Sequence, residues 1–275
     1  STSVVGVRPY RHDRGLEVAE DFIRSFHRGV HSFEVVSTGK VRIFFASSEP
    51  EIELRKRIAS FYPAAKVYTP SSTLGEIFQA CEEFCVAIAR LRKPLLPVRT
   101  DFVKDPMNSL IACITGHTCV YQVVFAPAPK KYYKKILAAS RSYQVGRVEG
   151  WLNPRIVPPG RVEAELSKAL AEKAKSQCYL VEVRILALGE GCEETIRTLG
   201  SFFELFRTVE EQGFELKVVK RRRRRKVLEA MRTRELSIPF FGRKNVLSAK
   251  ELALLVHLPG EDVTGDVEWI SERWD

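Results

Sequence analysis

Seven consecutive cationic side chains, residues 220–226, form the densest cluster of chemically competent groups in this sequence. Each of them can neutralise a phosphate, and every phosphate contact releases counterions, so binding through such a run weakens as salt rises. The window 220–244 holds eleven basic and two acidic residues, a charge of +9, whereas the whole chain of 275 residues carries +10. The remaining residues are therefore close to neutral, and the basic character of the chain is local.

The predicted polyanion contact combines this run with two arginines that follow it at helical spacing. Its members are Lys220, Arg221, Arg222, Arg223, Arg224, Arg225, Lys226, Arg232 and Arg234. A solvated, self-repelling segment is the structural alternative, and an acidic protein would fit the charge as well as DNA does. Because the rest of the chain is nearly neutral, we favour contact with DNA or with an acidic neighbour.

Motifs for nucleotide chemistry are missing from the sequence. Gly39-Lys40 is followed by Val41, and Glu34 stands where the first glycine of a phosphate-binding loop would fall. The sequence at 189–191, Gly-Glu-Gly, lacks the third glycine of a dinucleotide fingerprint. We therefore expect no ATP hydrolysis by this chain.

Cysteine and histidine spacing gives no clear metal or catalytic site. The six cysteines, at 81, 85, 113, 119, 178 and 192, include no Cys-x-x-Cys pair and have no histidine at zinc-ligand spacing. Buried thiols are the simpler interpretation. His117 beside Cys119 is the one close pair that could form a nucleophile and base, but a residue at a helix C-terminus is the simpler explanation of His117.

Carboxylates leave one enzymatic alternative open, a metal-dependent nuclease. The available side chains are Glu82, Glu83, Asp101 and Asp105, but no spacing groups them. We expect a non-enzymatic chain without cofactor or metal.

Composition and hydropathy restrict the class of protein. Hydrophobic residues make up 45% of the chain, enough for a large core, and no apolar stretch has the length of a membrane span or signal peptide. Charged residues at 28%, with few Gln and Asn, are typical of a thermophile. We expect a cytoplasmic protein.

The periodicity of apolar residues predicts an α+β fold. A helix over 15–27, two strands over 31–37 and 40–46 joined at Thr38-Gly39, and a helix over 193–212 are its clearest elements; residues 76–89 fit either helix or strand. A helix-strand-helix-strand order occurs at 15–68 and again at 161–219, as in a duplicated split β-α-β sheet, ferredoxin-like or RAGNYA-like, covered by helices.

Glycine and proline positions predict the organisation of the chain. We expect a first α+β unit over 1–145, a Pro/Gly linker over 146–160 and a second α+β unit over 161–219. A basic arm over 220–246 and a terminal helix within 247–275 would follow. Ser248 and Glu251 form a capping box for that helix, and Leu252, Leu255 and Val256 form its buried stripe.

Residues 247–260, LSAKELALLVHLPG, resemble the segment that leads into the motor domain of conjugation-type (type IV secretion) ATPases of the HerA/FtsK superfamily. Shorter pieces are similar to the amino-terminal domain of those proteins in the same order: Tyr62-Pro63-Ala64-Ala65 with Val67, Asp105-Pro106, Tyr121-Gln122-Val123-Val124 with Ala126-Pro127, and Tyr179 before Val181-Glu182-Val183-Arg184-Ile185. The match spans about 60 to 260.

This resemblance implies a non-catalytic accessory or docking domain of a DNA or protein translocation ATPase. Its expected partners are DNA, a motor domain or other protein subunits of the translocation complex, and further copies of the same chain, with a location at a membrane-bound secretion complex. The sequence reaches Asp275 before any phosphate-binding loop, so we expect either an excised domain or a stand-alone relative. A stand-alone DNA-binding protein of a plasmid or virus is the alternative.

Overall fold

A nine-stranded sheet with helices on both faces organises the chain. The computed structural model describes residues 2–71, 74–79, 82–236, 244–261, 263 and 265–270. Every strand pair of the sheet in these residues is antiparallel, and a separate hairpin stands outside it. Helices packed on a mostly antiparallel sheet make an α+β fold, so the predicted fold class is confirmed.

The elements are numbered in chain order. The strands are β1 (Ser3–Arg8), β2 (His31–Ser37), β3 (Val41–Ser47), β4 (Lys66–Tyr68), β5 (Phe84–Leu91), β6 (Cys119–Pro127), β7 (Arg147–Glu149), β8 (Arg155–Val157), β9 (Cys178–Leu188), β10 (Phe214–Val218) and β11 (Asn245–Ser248). The helices are α1 (Ala19–Arg24), α2 (Glu51–Phe61), α3 (Leu74–Gln79), α4 (Met107–Ile114), α5 (Lys130–Gln144), α6 (Arg161–Lys175), α7 (Cys192–Glu204), α8 (Arg221–Thr233) and α9 (Ala249–Leu255).

The sheet has the strand order β10-β5-β9-β6-β2-β3-β1-β4. The long strand β9 pairs with β6 on one side, and on the other side it pairs first with β11 and then with β5. Strands β9 and β10 come from the second predicted unit, yet they pair with β6 and β5 from the first. Both predicted units therefore contribute to one sheet.

The two faces of this sheet bury different helices. Along β2, Phe33 and Val35 point into the larger core, which also includes side chains of α1, α2, α4, α7 and α9. The alternate residues Glu34 and Val36 point to the opposite face. Helix α8 covers part of that face, and α5 and α6 cover another part.

Several local predictions differ from the structure. Strand β1 is absent from the sequence prediction, and helix α1 is shorter than the predicted helix over 15–27. Helix α7 ends at Glu204 rather than near 212, where the Gln212 side chain instead donates to the carbonyl of Leu96 (2.6 Å). The predicted linker over 146–160 contains the hairpin β7-β8. Residues 76–89 include both the end of α3 and most of β5.

A disulfide between Cys85 and Cys192 joins β5 to the first residue of α7. This corrects the expectation of buried thiols for these two cysteines. They are separated by 107 residues, so their pairing depends on a long-range contact that spacing alone could not reveal. Cys113, Cys119 and Cys178 are free thiols, and Cys81 lies outside the described residues.

Helix α9 is buried within the core of the chain. The predicted capping box is confirmed, with Ser248 accepting from the Glu251 N–H and Glu251 accepting from the Ser248 N–H. Glu251 also forms a buried ion pair with Lys173 (3.0 Å), and Leu252, Leu255 and Val256 are fully buried as predicted. The segment that carries the resemblance is thus part of the hydrophobic core.

Candidate polyanion-binding helix

Helix α8 begins directly after the edge strand β10, so the basic run starts where the sheet ends. Lys220 occupies the N-cap position, and the first turn contains no acidic residue. The N-terminus of a helix carries a partial positive charge, which disfavours cations in the first turn. The arginines therefore oppose the intrinsic stability of α8, and other contacts must hold this helix in place.

An apolar stripe attaches α8 to the sheet. Val227, Ala230 and Met231 are buried at the spacing of one helix face. Val227 and Met231 pack in a cluster with strand residues of the sheet, which include Val36, Val86, Val120 and Leu186. Burial of such a side chain stabilises a fold by about 1.5 to 3 kcal/mol, so this stripe offsets the unfavourable placement of the arginines.

An ion pair attaches the C-terminal end of α8 to the sheet. Arg234 has a left-handed backbone conformation (φ 56°), and its N–H bonds back to the helix. Its guanidinium donates from Nε to Glu34 Oε2 (2.9 Å) and from Nη2 to Glu34 Oε1 (3.0 Å). The Glu34 side chain is completely buried, and that of Arg234 is 12% exposed. This bidentate geometry is the strong form of a carboxylate-arginine contact.

Two further polar side chains of the sheet bind backbone carbonyls of α8. Gln122 Nε2 donates to Glu34 Oε2 (2.8 Å) and to the carbonyl of Met231 (2.9 Å). Arg184 Nη1 donates to the carbonyl of Ala230 (3.0 Å), and its Nη2 contacts Glu182 and the carbonyl of Glu235. The last turn of α8 is therefore fixed to the sheet by hydrogen bonds as well as by packing.

The N-terminal half of α8 has one comparable anchor. Arg224 Nη1 donates to the carbonyl of Phe84 (2.9 Å), and its guanidinium lies 4.4 Å from the centre of the Phe84 ring. The guanidinium of Arg225 is 6.0 Å from the same ring. Arg224 is half-buried, so it serves the attachment of the helix more than its outer surface.

The structure thus divides the predicted contact residues into two groups. Exposed side chains on or beside the first turns are Lys220, Arg221, Arg222, Arg223, Arg225 and Lys226; of these, Arg223 and Lys226 make further interactions within the chain. Arg224 and Arg234 are attachment residues, which corrects their assignment to the contact. Arg232 is exposed and pairs with Glu229 (2.9 Å), and that hydrogen bond lowers the pKa of Glu229.

The described residues of the predicted basic arm over 220–246 include helix α8 and the start of strand β11. Residues 221–233 are helical, and residues 245–248 form β11. The segment 237–243, with Arg243, lies outside the described residues. Charge alone does not indicate which residues hold α8 on the sheet. The signal for those residues is polarity inside apolar strands, at Glu34, Gln122 and Arg184.

A second basic helix lies on the same face of the sheet. Leu180, which packs with α5 and α6, and Leu186, which packs with α8, are six residues apart on β9 and so share a face. The exposed lysines of α5 are Lys130, Lys131, Lys134 and Lys135. Lys131 and Lys135 lie within 5.3 Å of the Tyr132 ring centre. These lysines form a second cluster of exposed cations on that face, on a different helix from the arginines of α8.

The alternative catalytic residues occupy structural positions. Cys119 is buried, and burial raises the pKa of its thiol to about 12. A thiol of that pKa is a poor nucleophile. The neighbouring His117 contacts Thr195 Oγ1 through Nδ1 (3.2 Å).

The carboxylates considered for a nuclease do not form a metal site in the structure. Asp105 Oδ1 accepts from the Met107 N–H (2.8 Å) and lies 2.6 Å from Nε2 of the buried His257. Asp101 is paired with Arg99 (3.4 Å) and is almost fully exposed. Over the described ranges, no three His, Cys, Asp or Glu side chains are placed to hold a metal ion.

A family model described as a domain of unknown function, DUF8128, matches residues 1–269. No curated protein matches the chain. Among the described residues, no helix combines the length and the apolar character needed to cross a membrane.

Proposed function

Starting from a chain that belongs to the DUF8128 family, we propose that the N-terminal half of α8 binds a polyanion, with DNA as the favoured one. Lys220, Arg221, Arg222 and Arg225 form the contact, since they are exposed and carry no acidic partner within the described residues. We assign the binding to the phosphate backbone, because exposed arginines on one helix surface supply charge but no sequence readout.

One observation carries this proposal. Arginines are concentrated at the end of a helix where the helix dipole disfavours them, while the opposite end of the same helix is fixed by Arg234 and Glu34. A local arrangement that works against stability is expected at a functional site, where it is offset by other parts of the fold. An external anion would relieve the repulsion among the arginines.

We propose more specifically that the chain is an accessory domain of a conjugation-like translocation ATPase. It rests on the resemblance of residues 247–260 and on the basic helix, which would guide DNA toward a motor or dock on an acidic subunit. A natural reading frame that continues past Asp275 into a phosphate-binding loop would support it. A stop codon directly after Asp275 would favour the stand-alone DNA-binding protein of a plasmid or virus.

A competition experiment separates DNA from an acidic protein partner. Fluorescence anisotropy of a labelled duplex of arbitrary sequence measures binding at low salt, with unlabelled duplex or poly-glutamate as competitor. We expect the duplex to compete at least about tenfold better per charge, because one charge per about 1.7 Å of its axis condenses more counterions, which binding releases, than an extended poly-glutamate with one charge per about 3.5 Å. Equal competition by poly-glutamate would favour an acidic protein, and an absence of binding to both would contradict the proposal.

Two triple variants, each of which removes three positive charges, test whether α8 is the site of binding. Replacing Arg221, Arg222 and Arg225 by Gln should weaken duplex binding at least about tenfold, since three phosphate contacts are lost. Replacing Lys131, Lys134 and Lys135 of α5 by Gln removes the same net charge at another exposed site. If binding depends on net charge alone, both variants will lose the same affinity, and the assignment to α8 fails.

A further inference from the structure

Strand β10 is an open edge of the sheet among the described residues. Its contact with β5 is bracketed by two hydrogen bonds, from Arg92 N–H to Gly213 O (3.0 Å) and from Val219 N–H to Val86 O (2.8 Å). Alternate residues of an antiparallel strand direct their backbone groups to opposite sides. Residues 213, 215, 217 and 219 therefore bond to β5, and Phe214, Leu216 and Val218 direct theirs away from the sheet.

These outward N–H and C=O groups make no hydrogen bond to any described residue. An edge strand with a row of unpaired backbone groups is a template for another strand. Proline and bulges, two of the means by which an edge is protected, are missing from β10, although this short strand carries Lys217. Its last residue, Val218, is an exposed apolar side chain (57%).

A groove along β10 leaves room for an added strand. Its volume is about 810 Å³, and α7 forms its other wall. Ile196, Phe203 and Leu216 give it apolar lining. At Gly200 an added Cβ would meet no atom within 4 Å, so that part of the wall is open. Side chains of an added strand could rest between β10 and α7.

We propose that β10 of a second copy of this chain pairs with it, antiparallel and centred on Leu216. In this register Leu216 faces its own counterpart, and Phe214 faces Val218. Those are the residues whose backbone groups point outward, so the two strands exchange hydrogen bonds through them. Glu215 then faces Lys217 of the other copy in both halves of the interface, and opposite charges across a strand pair stabilise it.

The charges of β10 favour this register over the two neighbouring symmetric ones. A pairing centred on Glu215 would place two glutamates opposite each other, and one centred on Lys217 would place two lysines opposite each other. Like charges directly across a strand pair are destabilising. The strand sequence Phe-Glu-Leu-Lys-Val is therefore complementary to itself when the pairing is centred on Leu216, as a two-fold interface requires.

This pairing would join two sheets into one and place both α8 helices on the same face. Val218 and its counterpart would lie four residues apart along the strand direction, about 14 Å at 3.4 Å per residue. Because α8 begins shortly after Val218, the two basic N-termini would flank the two-fold axis. The dimer does not depend on the proposed polyanion binding, although it would double the positive surface.

Charge reversal on β10 tests the proposed pairing, with sedimentation equilibrium as the measure of dimerisation. The experiment contains no nucleic acid, and a salt concentration of about 0.3 M screens the repulsion between the two α8 helices. Lys217→Glu and Glu215→Lys each place like charges in both cross-strand pairs, so each should weaken dimerisation at least about tenfold. An equimolar mixture of the two variants restores opposite charges and should form heterodimers. The double variant should form homodimers again.

Lys168→Glu is the matched control, because Lys168 is exposed on α6, away from this edge. It should dimerise as the wild type does. A chain that stays monomeric at all concentrations would overturn the proposal, as would a dimer that both single variants leave intact. Specific binding of an extended peptide of another protein by a monomeric chain would assign the edge to that partner instead. Failure of duplex binding would leave these outcomes unchanged, since the contact arginines are not altered.

Discussion

Arg234 at the end of the basic helix and Glu34 in the middle of the sheet form a bidentate ion pair across 200 residues of sequence. The carboxylate is fully buried, and it also accepts hydrogen bonds from Ser32 Oγ (2.6 Å) and Gln122 Nε2 (2.8 Å). Arg234 therefore stabilises the fold rather than binding an external anion. Its position in a basic segment conceals that role.

Truncation of two arginines near the same helix end should have very different effects on stability. Arg234→Ala leaves the Glu34 carboxylate buried without its counter-ion, so we expect a loss of about 3 kcal/mol in the free energy of unfolding. Arg232→Ala removes an exposed pair with Glu229 and should change the free energy of unfolding far less, because solvent screens that pair. Urea unfolding followed by circular dichroism measures both. Equal losses would mean that the Glu34 pair does not form.

Sequence alone could not have predicted this pair. Glu34 interrupts an apolar strand, which signals a buried polar contact, but its partner depends on how β2 lies beside β6 and where α8 crosses them. Strand β1 is hard to predict for a related reason: it is a run of only six residues with Gly6 inside it, and pairing with β3 and β4 stabilises it. In contrast, the capping box of α9 and the hairpin at Gly39 follow from local residues, and both are present.

The sequence shows where the positive charge of the candidate site lies, but it does not show which of the charged side chains are exposed. Residues 220–226 are equivalent as a run of cations. Only the packing of Val227 and Met231 on the sheet determines that Arg224 turns toward Phe84 while Arg221 and Arg222 remain exposed. Helix orientation, rather than composition, selects the contact residues.

The disulfide between Cys85 and Cys192 should stabilise the chain measurably. It closes a separation of 107 residues, and a cross-link of that length restricts the unfolded chain enough to contribute about 2 to 4 kcal/mol. Cys192→Ala should lower the free energy of unfolding by that amount in the absence of reductant. Dithiothreitol should destabilise the wild type but not this variant.

Cys113→Ala serves as the control for the disulfide, because Cys113 is a free thiol. This variant should keep its sensitivity to dithiothreitol. If the wild type unfolds identically with and without reductant, the disulfide does not form in solution.

Acid should destabilise the chain through His31. Burial lowers the pKa of this histidine to about 4, while Nε2 lies 2.6 Å from the carbonyl of Arg28 and Nδ1 lies 2.8 Å from Ser47 Oγ. The unfolded chain, with a histidine pKa of about 6.5, binds the proton more readily. The stability that this difference contributes is fully present above pH 6.5 and decreases as the pH falls toward 4. By pH 5 the loss is about 2 kcal/mol.

Urea unfolding between pH 7.5 and 5 measures this effect, with His31→Gln as the comparison. The wild type should lose about 2 kcal/mol more than the variant over that range. Parallel pH curves for the two proteins would show that His31 is not the group responsible.

The most direct test of the central claim is the salt dependence of duplex binding. The plot of log K against log salt should lose up to about 2.7 units of slope when Arg221, Arg222 and Arg225 are replaced by Gln, at about 0.9 for each phosphate contact. The α5 variant, with Lys131, Lys134 and Lys135 replaced by Gln, should keep the wild-type slope. Equal slopes for the wild type and the α8 variant would contradict the claim that this helix holds the phosphates.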